Sequence, residues 1–164
     1  MLAALSITLM FLGSIIWAFT YVAPLVSSVI MIIISDVANK RNALITYAAV
    51  SIISVLFLPD KECALTYVFF FGYYVLIREY LEKIKPKALG FLVKALIYNA
   101  GIISSQLILI YVFGIPFEGF WGIWGAVILL LVANLVFVFY ELMLSRVLIL
   151  YELKYKGKVH KLLK

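Results

Sequence analysis

The sequence predicts an all-α fold, a polytopic transmembrane bundle of six helices with both termini on the cytoplasmic side. Two thirds of the 164 residues are hydrophobic (66%) and the mean hydropathy is +1.16, well above the roughly half-apolar composition of soluble domains. The apolar residues fall into stretches approaching the 20 or so residues that carry a helix across a hydrocarbon core about 30 Å thick. Charged residues make up only 13% of the chain and gather in the short breaks between these stretches. Lipid cannot satisfy backbone polar groups, so a crossing must be a helix or part of a closed barrel. Runs such as 125–140 show no apolar/polar alternation, which selects the helix.

The spans are expected at about 2–20, 22–37, 43–58, 63–82, 88–113 and 121–150. The first lacks a basic leader and has no small-x-small cleavage site before Pro24, so it reads as a retained helix rather than a secretory signal. Pro24 opens the second span, where its missing N–H costs nothing. The second and third are short and weakly bounded. Pro59-Asp60-Lys61-Glu62 separates the third from the fourth, Lys83-Ile84-Lys85-Pro86-Lys87 the fourth from the fifth, and Gly114-Ile115-Pro116-Phe117-Glu118-Gly119 the fifth from the sixth. Residues 1–153 thus form one integral membrane domain and 154–164 a basic tail.

Orientation follows from the bases, since short cytoplasmic loops hold an excess of Lys and Arg. Lys40 and Arg41, then Lys83, Lys85 and Lys87, then Lys154, Lys156, Lys158, Lys161 and Lys164 all fall on one side of a six-span layout. The other side has Lys61 against Asp60, Glu62 and Glu118. Anionic headgroups account for the net charge of +6 without nucleic acid as a partner.

Composition also bounds the chemistry. One cysteine, Cys63, supports neither an internal disulfide nor a multi-cysteine metal site, and the one histidine, His160, lies in the tail. Metal sites built on His, Ser-His-Asp triads and Cys-His pairs have no raw material within the membrane. A glycine-rich phosphate loop is missing too, so ATP hydrolysis is not expected of this chain. The reading is of a protein that is not an enzyme and needs neither cofactor nor metal.

The polar residues inside the spans are the candidate ligand-binding groups. Asn99 and Gln106 are seven apart, as are Asn134 and Glu141, so each pair shares a helix face. Such faces turn toward the bundle interior or a water-filled cavity; they either bind a ligand or lock helices together. Glu141 is expected to pair with Arg146 about one turn on, and Lys94 to snorkel to the inner surface along its own stem. Trp17, Tyr21, Trp121 and Trp124 fit an interfacial aromatic belt, while Tyr21, Tyr67, Trp121 and Trp124 could alternatively cap an outward-facing pocket. Gly72, inside the aromatic run Tyr67–Tyr74, reads as a flexible point, and Glu79 with Lys83 as an i,i+4 pair. Small residues, among them Ala3, Ala4, Ser6 and Gly13 on the first span, mark where helices approach closely.

The opening Leu2-Ala3-Ala4-Leu5-Ser6-Ile7-Thr8-Leu9-Met10-Phe11 resembles the first helix of the substrate-binding S components of energy-coupling factor (ECF) vitamin transporters. Length, span number, topology and the missing ATPase motif are similar as well. The family pattern has alanines four apart, whereas this chain has Ala3 and Ala4 followed by Ile7 and Thr8. The resemblance implies that Ala3, Ala4 and Thr8 dock a transmembrane coupling subunit carried by ATPases, and that the bundle captures a vitamin-like small molecule from outside, under the loops around Tyr21, Asp60 and Glu118. The alternative is a small envelope scaffold similar to the rod-shape protein MreD, which acts by binding other membrane proteins. A gradient-driven carrier ranks third, because no carboxylate is expected near the midplane.

Overall fold

A computed structural model describes residues 1–16, 19–115 and 123–155. Its described residues form helices and no strand: α1 (Leu2–Ile15), α2 (Val22–Phe57), α3 (Lys61–Thr66), a π-helical turn (Tyr67–Phe71), α4 (Gly72–Leu81), α5 (Lys87–Tyr111), α6 (Ile123–Leu150) and a second π-helical turn (Tyr151–Tyr155). Val22–Phe57, Lys87–Tyr111 and Leu130–Leu150 are long and apolar enough to cross a membrane, while Leu2–Ile15 is shorter.

The second and third expected spans are the two halves of α2. They meet at Asn39, whose φ of 70° and ψ of 154° leave the helical region. That conformation belongs mainly to glycine, and asparagine is among the few other residues that tolerate a positive φ. The chain reverses there without a loop. Gly13 packs so closely on Ala23 that a Cβ at Gly13 would overlap the alanine methyl. Met10 Sδ lies 3.9 Å from Ser54 Oγ, and Met1 and Leu2 share a hollow with Ala38 and Thr46. Helix α1 therefore runs antiparallel to the first half of α2 and parallel to the second.

The fourth expected span is a stack of α3, the π-helical turn and α4. Asp60 opens it, Oδ1 accepting from the backbone N–H of Glu62 (2.9 Å) and of Cys63 (3.2 Å), an N-cap that satisfies two orphan donors. Gly72 follows the π-helical turn directly. A Cβ at Gly72 would sit 2.6 Å from the Tyr47 ring and 2.9 Å from that of Tyr67, so this glycine is a contact surface for two rings and not the flexible point expected of it.

An aromatic layer fills the core. Phe70, Phe71 and Tyr74 from the fourth segment meet Tyr98 of α5 and Phe137 and Tyr140 of α6, all buried. Phe70 lies 4.5 Å from Tyr74 and 4.7 Å from Tyr98 between ring centroids; Tyr98 stacks on Phe137 at 4.9 Å, and Phe71 meets Tyr140 edge-on at 5.0 Å. In lipid, where hydrocarbon surrounds the protein as well as filling it, such packing contributes through dispersion and ring geometry rather than through exclusion of water. On the other side of α6, Leu131, Leu135, Phe139 and Leu142 are exposed, the face an apolar solvent would cover.

Candidate functional site

Among the described residues three clusters built on carboxylates or amides interrupt the apolar interior, one near each end of the bundle and one between. Near the end that holds the start of α2, Tyr21 Oη donates to Glu62 Oε1 at 2.5 Å and Gln106 Nε2 donates to the same oxygen at 2.9 Å. Three segments thus converge on one carboxylate. Lys61, the adjacent base, turns away: its ammonium donates to the carbonyls of Val55 (2.9 Å) and Leu58 (3.0 Å) and lies 5.9 Å from the Phe113 ring centre. Among the described residues neither Asp60 nor Glu62 has an ion-pair partner. Tyr21 and Gln106, both singled out from sequence, are brought together by Glu62, which was not. Trp17, Glu118, Trp121 and His160 lie outside the described residues, as does the side chain of Trp124.

In the middle, Asn99 of α5 and Asn134 of α6 form a reciprocal pair. Each Nδ2 donates to the other's Oδ1 at 2.9 Å, and each also donates to the carbonyl four residues back, Ala95 and Leu130, at 2.8 Å. This arrangement fastens two helices. Tyr67 lies in the core with no exposed surface. Among the described residues its hydroxyl and those of Ser6, Ser27 and Ser51 are buried without a hydrogen bond of ordinary geometry. On α1, Ser6, Met10 and Gly13 face inward and Ala3 packs partly against the core, while Ala4 and Thr8 are exposed. Thr8 Oγ1 donates back to the Ala4 carbonyl at 2.9 Å, which leaves a small, largely apolar outward surface.

The third group lies toward the end that carries Lys40, Lys83 and Lys87, and corrects two expectations. Glu141 does not pair with Arg146: five residues on is about 140° around a helix, and Arg146 is exposed. Instead Glu141 accepts from Tyr74 Oη (2.7 Å), Arg78 Nε (3.1 Å) and Lys94 Nζ (2.5 Å). Lys94 does not snorkel, because a carboxylate facing it across the helix gap is a nearer counter-charge than the headgroups; it is only 7% exposed. Arg78 also donates to Ser145 Oγ (2.7 Å) and pairs with Glu82 (2.7 Å), and Lys94 lies 3.8 Å from Glu82. Two cations and two carboxylates close a neutral network. Burial of such charges is tolerated only when each is paired and hydrogen-bonded.

A cavity of about 560 Å³ adjoins this network between α2, α4 and α6. Ile32, Val75, Leu76, Leu148 and Ile149 form its apolar walls, and Arg78, Ser145, Lys40, Glu79 and Glu82 also line it. At its edge Lys40 pairs with Glu79 and lies 4.5 Å from the Tyr80 ring centre. The carboxylate of Glu79 holds the Lys40 ammonium above its ordinary pKa, and Glu79 also meets Lys83 at 3.8 Å, the expected i,i+4 pair. Tyr151 Oη donates to Asp36 Oδ2 at 3.0 Å. Among the described residues no three His, Cys, Asp or Glu side chains are grouped to hold a metal.

Sequence reasoning missed Arg78, Glu82 and Ser145. Their spacing is informative in hindsight: Arg78 and Glu82 are four apart on α4, as are Glu141 and Ser145 on α6, so each helix presents two polar groups to the same gap. Comparison with known proteins finds no match among family models, curated proteins or solved structures.

Proposed function

We propose that this protein is the solute-capturing subunit of a small-molecule uptake transporter in the cell membrane, similar in layout to an ECF S component, with a separate ATPase module supplying the energy. In this reading α1, the two halves of α2, the α3–α4 stack, α5 and α6 are six spans, and the end bearing Lys40, Arg41, Lys83, Lys85 and Lys87 faces the cytoplasm, as do both termini. The observation that carries it is the Glu62 carboxylate at the opposite end, held by neutral donors from two other segments and by no cation. A solute arriving from outside with hydrogen-bond donors meets an acceptor already oriented. The outward surface of α1 at Ala4 and Thr8 supplies a place for a coupling subunit. A proton-driven carrier is disfavoured, because protonating Glu141 would leave Arg78 and Lys94 sharing one remaining carboxylate.

The test is mild detergent extraction of the tagged protein from its native membrane, with mass spectrometry of proteins and small molecules together. An ATPase pair with a coupling subunit, or a bound vitamin-like compound lost in Glu62→Gln, supports the transporter. Envelope-assembly proteins without a ligand would replace it with the scaffold reading.

A further inference from the structure

The cavity beside the buried ion network combines two kinds of wall. One is hydrocarbon, from Ile32, Val75, Leu76, Leu148 and Ile149; the other is charged, with Arg78 buried, Asp36 beside Tyr151, and Lys40, Glu79 and Glu82 more open to the outside. The pairs are not equally firm. Arg78 keeps Nε on Glu141, whose side chain is 12% exposed, while Nη2 takes Ser145 and the more exposed Glu82, whose side chain is 48% exposed. Glu82 can leave without unfolding α4, because it caps the C-terminal end of that helix and its side chain is about half exposed. Glu79 is already balanced by Lys40 and Lys83. Asp36, the third carboxylate of the lining, accepts from Tyr151 at 3.0 Å. An anion that binds Arg78 therefore displaces one carboxylate, Glu82, and sits beside the other two.

We infer that this cavity binds the anionic head, a phosphate or carboxylate, of an amphiphile, which takes the place of the Glu82 carboxylate on Arg78 while its hydrocarbon portion lies along the apolar wall. Glu82 is the tethered occupant of the site, and a planar guanidinium with a neighbouring serine hydroxyl suits a tetrahedral or planar oxyanion. The same chemistry is offered by an anionic phospholipid of the adjoining leaflet and by a soluble phosphate. This inference is independent of solute capture at the opposite end.

The test is native mass spectrometry of the full chain in maltoside micelles, titrated with phosphatidylglycerol, with diacylglycerol and with inorganic phosphate. Phosphatidylglycerol is expected to bind and diacylglycerol not to. Replacing Glu82 by Gln removes the internal competitor and is expected to tighten phosphatidylglycerol binding about fivefold, the worth of one partly exposed ion pair. Glu79→Gln removes the same charge from the edge of the cavity and is expected to change binding by less than about twofold. Inorganic phosphate tightening in Glu82→Gln by the same factor would identify a soluble phosphate as the source and support the site. Equal gains in the two variants, equal retention of diacylglycerol, or no binding of either anion would overturn it. Both substitutions are at half-exposed positions, so the folded protein is available for the measurement.

Discussion

Glu141 and Glu62 are both carboxylates held by several donors, and they are held in opposite ways. Glu141 is 9% exposed and bonded to an arginine, a lysine and a tyrosine. Glu62 is half-buried and bonded to a tyrosine and a glutamine, with the adjacent lysine turned to backbone carbonyls. The first arrangement cancels charge and leaves nothing for a ligand without breaking a buried pair. The second keeps its charge and only orients it. A buried cation on a carboxylate is a mark of structure here, and neutral donors leave the charge of Glu62 without a counter-charge among the described residues.

That contrast predicts very different responses to the same conservative change. Glu141→Gln leaves Arg78 and Lys94 with only Glu82 between them, and is expected to cost about 3–5 kcal/mol, read as a fall in folded yield and in thermal stability in detergent. Adding Lys94→Met restores the charge balance, so the double variant should be more stable than the sum of the two single losses; strict additivity would show that the network is not coupled. Gly72→Ala drives a methyl toward the Tyr47 and Tyr67 rings and is expected to destabilise by about 1–3 kcal/mol, measured in the same melt. Asn134→Leu leaves Asn99 Oδ1 without a donor, while Nδ2 keeps the Ala95 carbonyl, at a cost of about 1–3 kcal/mol, and ligand retention should persist in whatever protein folds; loss of ligand with full folding would instead make the pair part of a pocket. Glu62→Gln keeps an acceptor for Tyr21 and Gln106, and stability is expected to change by less than about 1 kcal/mol. If Glu62→Gln unfolds the protein as Glu141→Gln does, the distinction between the two carboxylates fails.

Much of the fold was legible because hydropathy and charge placement are local signals. Lys83-Ile84-Lys85-Pro86-Lys87 marks the gap between α4 and α5 to within a few residues, and Asp60 marks the start of α3. The pairing of Asn99 with Asn134 follows from the cost of unpaired amides in hydrocarbon, although their seven-residue spacings to Gln106 and Glu141 do not name the partner. What sequence could not supply was the third dimension between helices. Lys94 and Glu141 are 47 residues apart, and Glu62 and Gln106 are 44 apart, so no periodicity connects them. Gly72 shows the same limit, since its role depends on a ring from α2. The break at Asn39 was blurred for a different reason: a reversal made by one residue leaves no loop composition to read.

The reversal at Asn39 also bears on the proposed topology. In the proposed topology the two halves of α2 are joined by a single residue in a left-handed conformation. Such a joint has no slack. The two halves lie adjacent and antiparallel, and Lys40 and Arg41 follow the turn directly and are exposed. In that topology the halves form one hairpin with no loop between its arms, so Asn39 sets the level of the basic pair as well as the path of the chain.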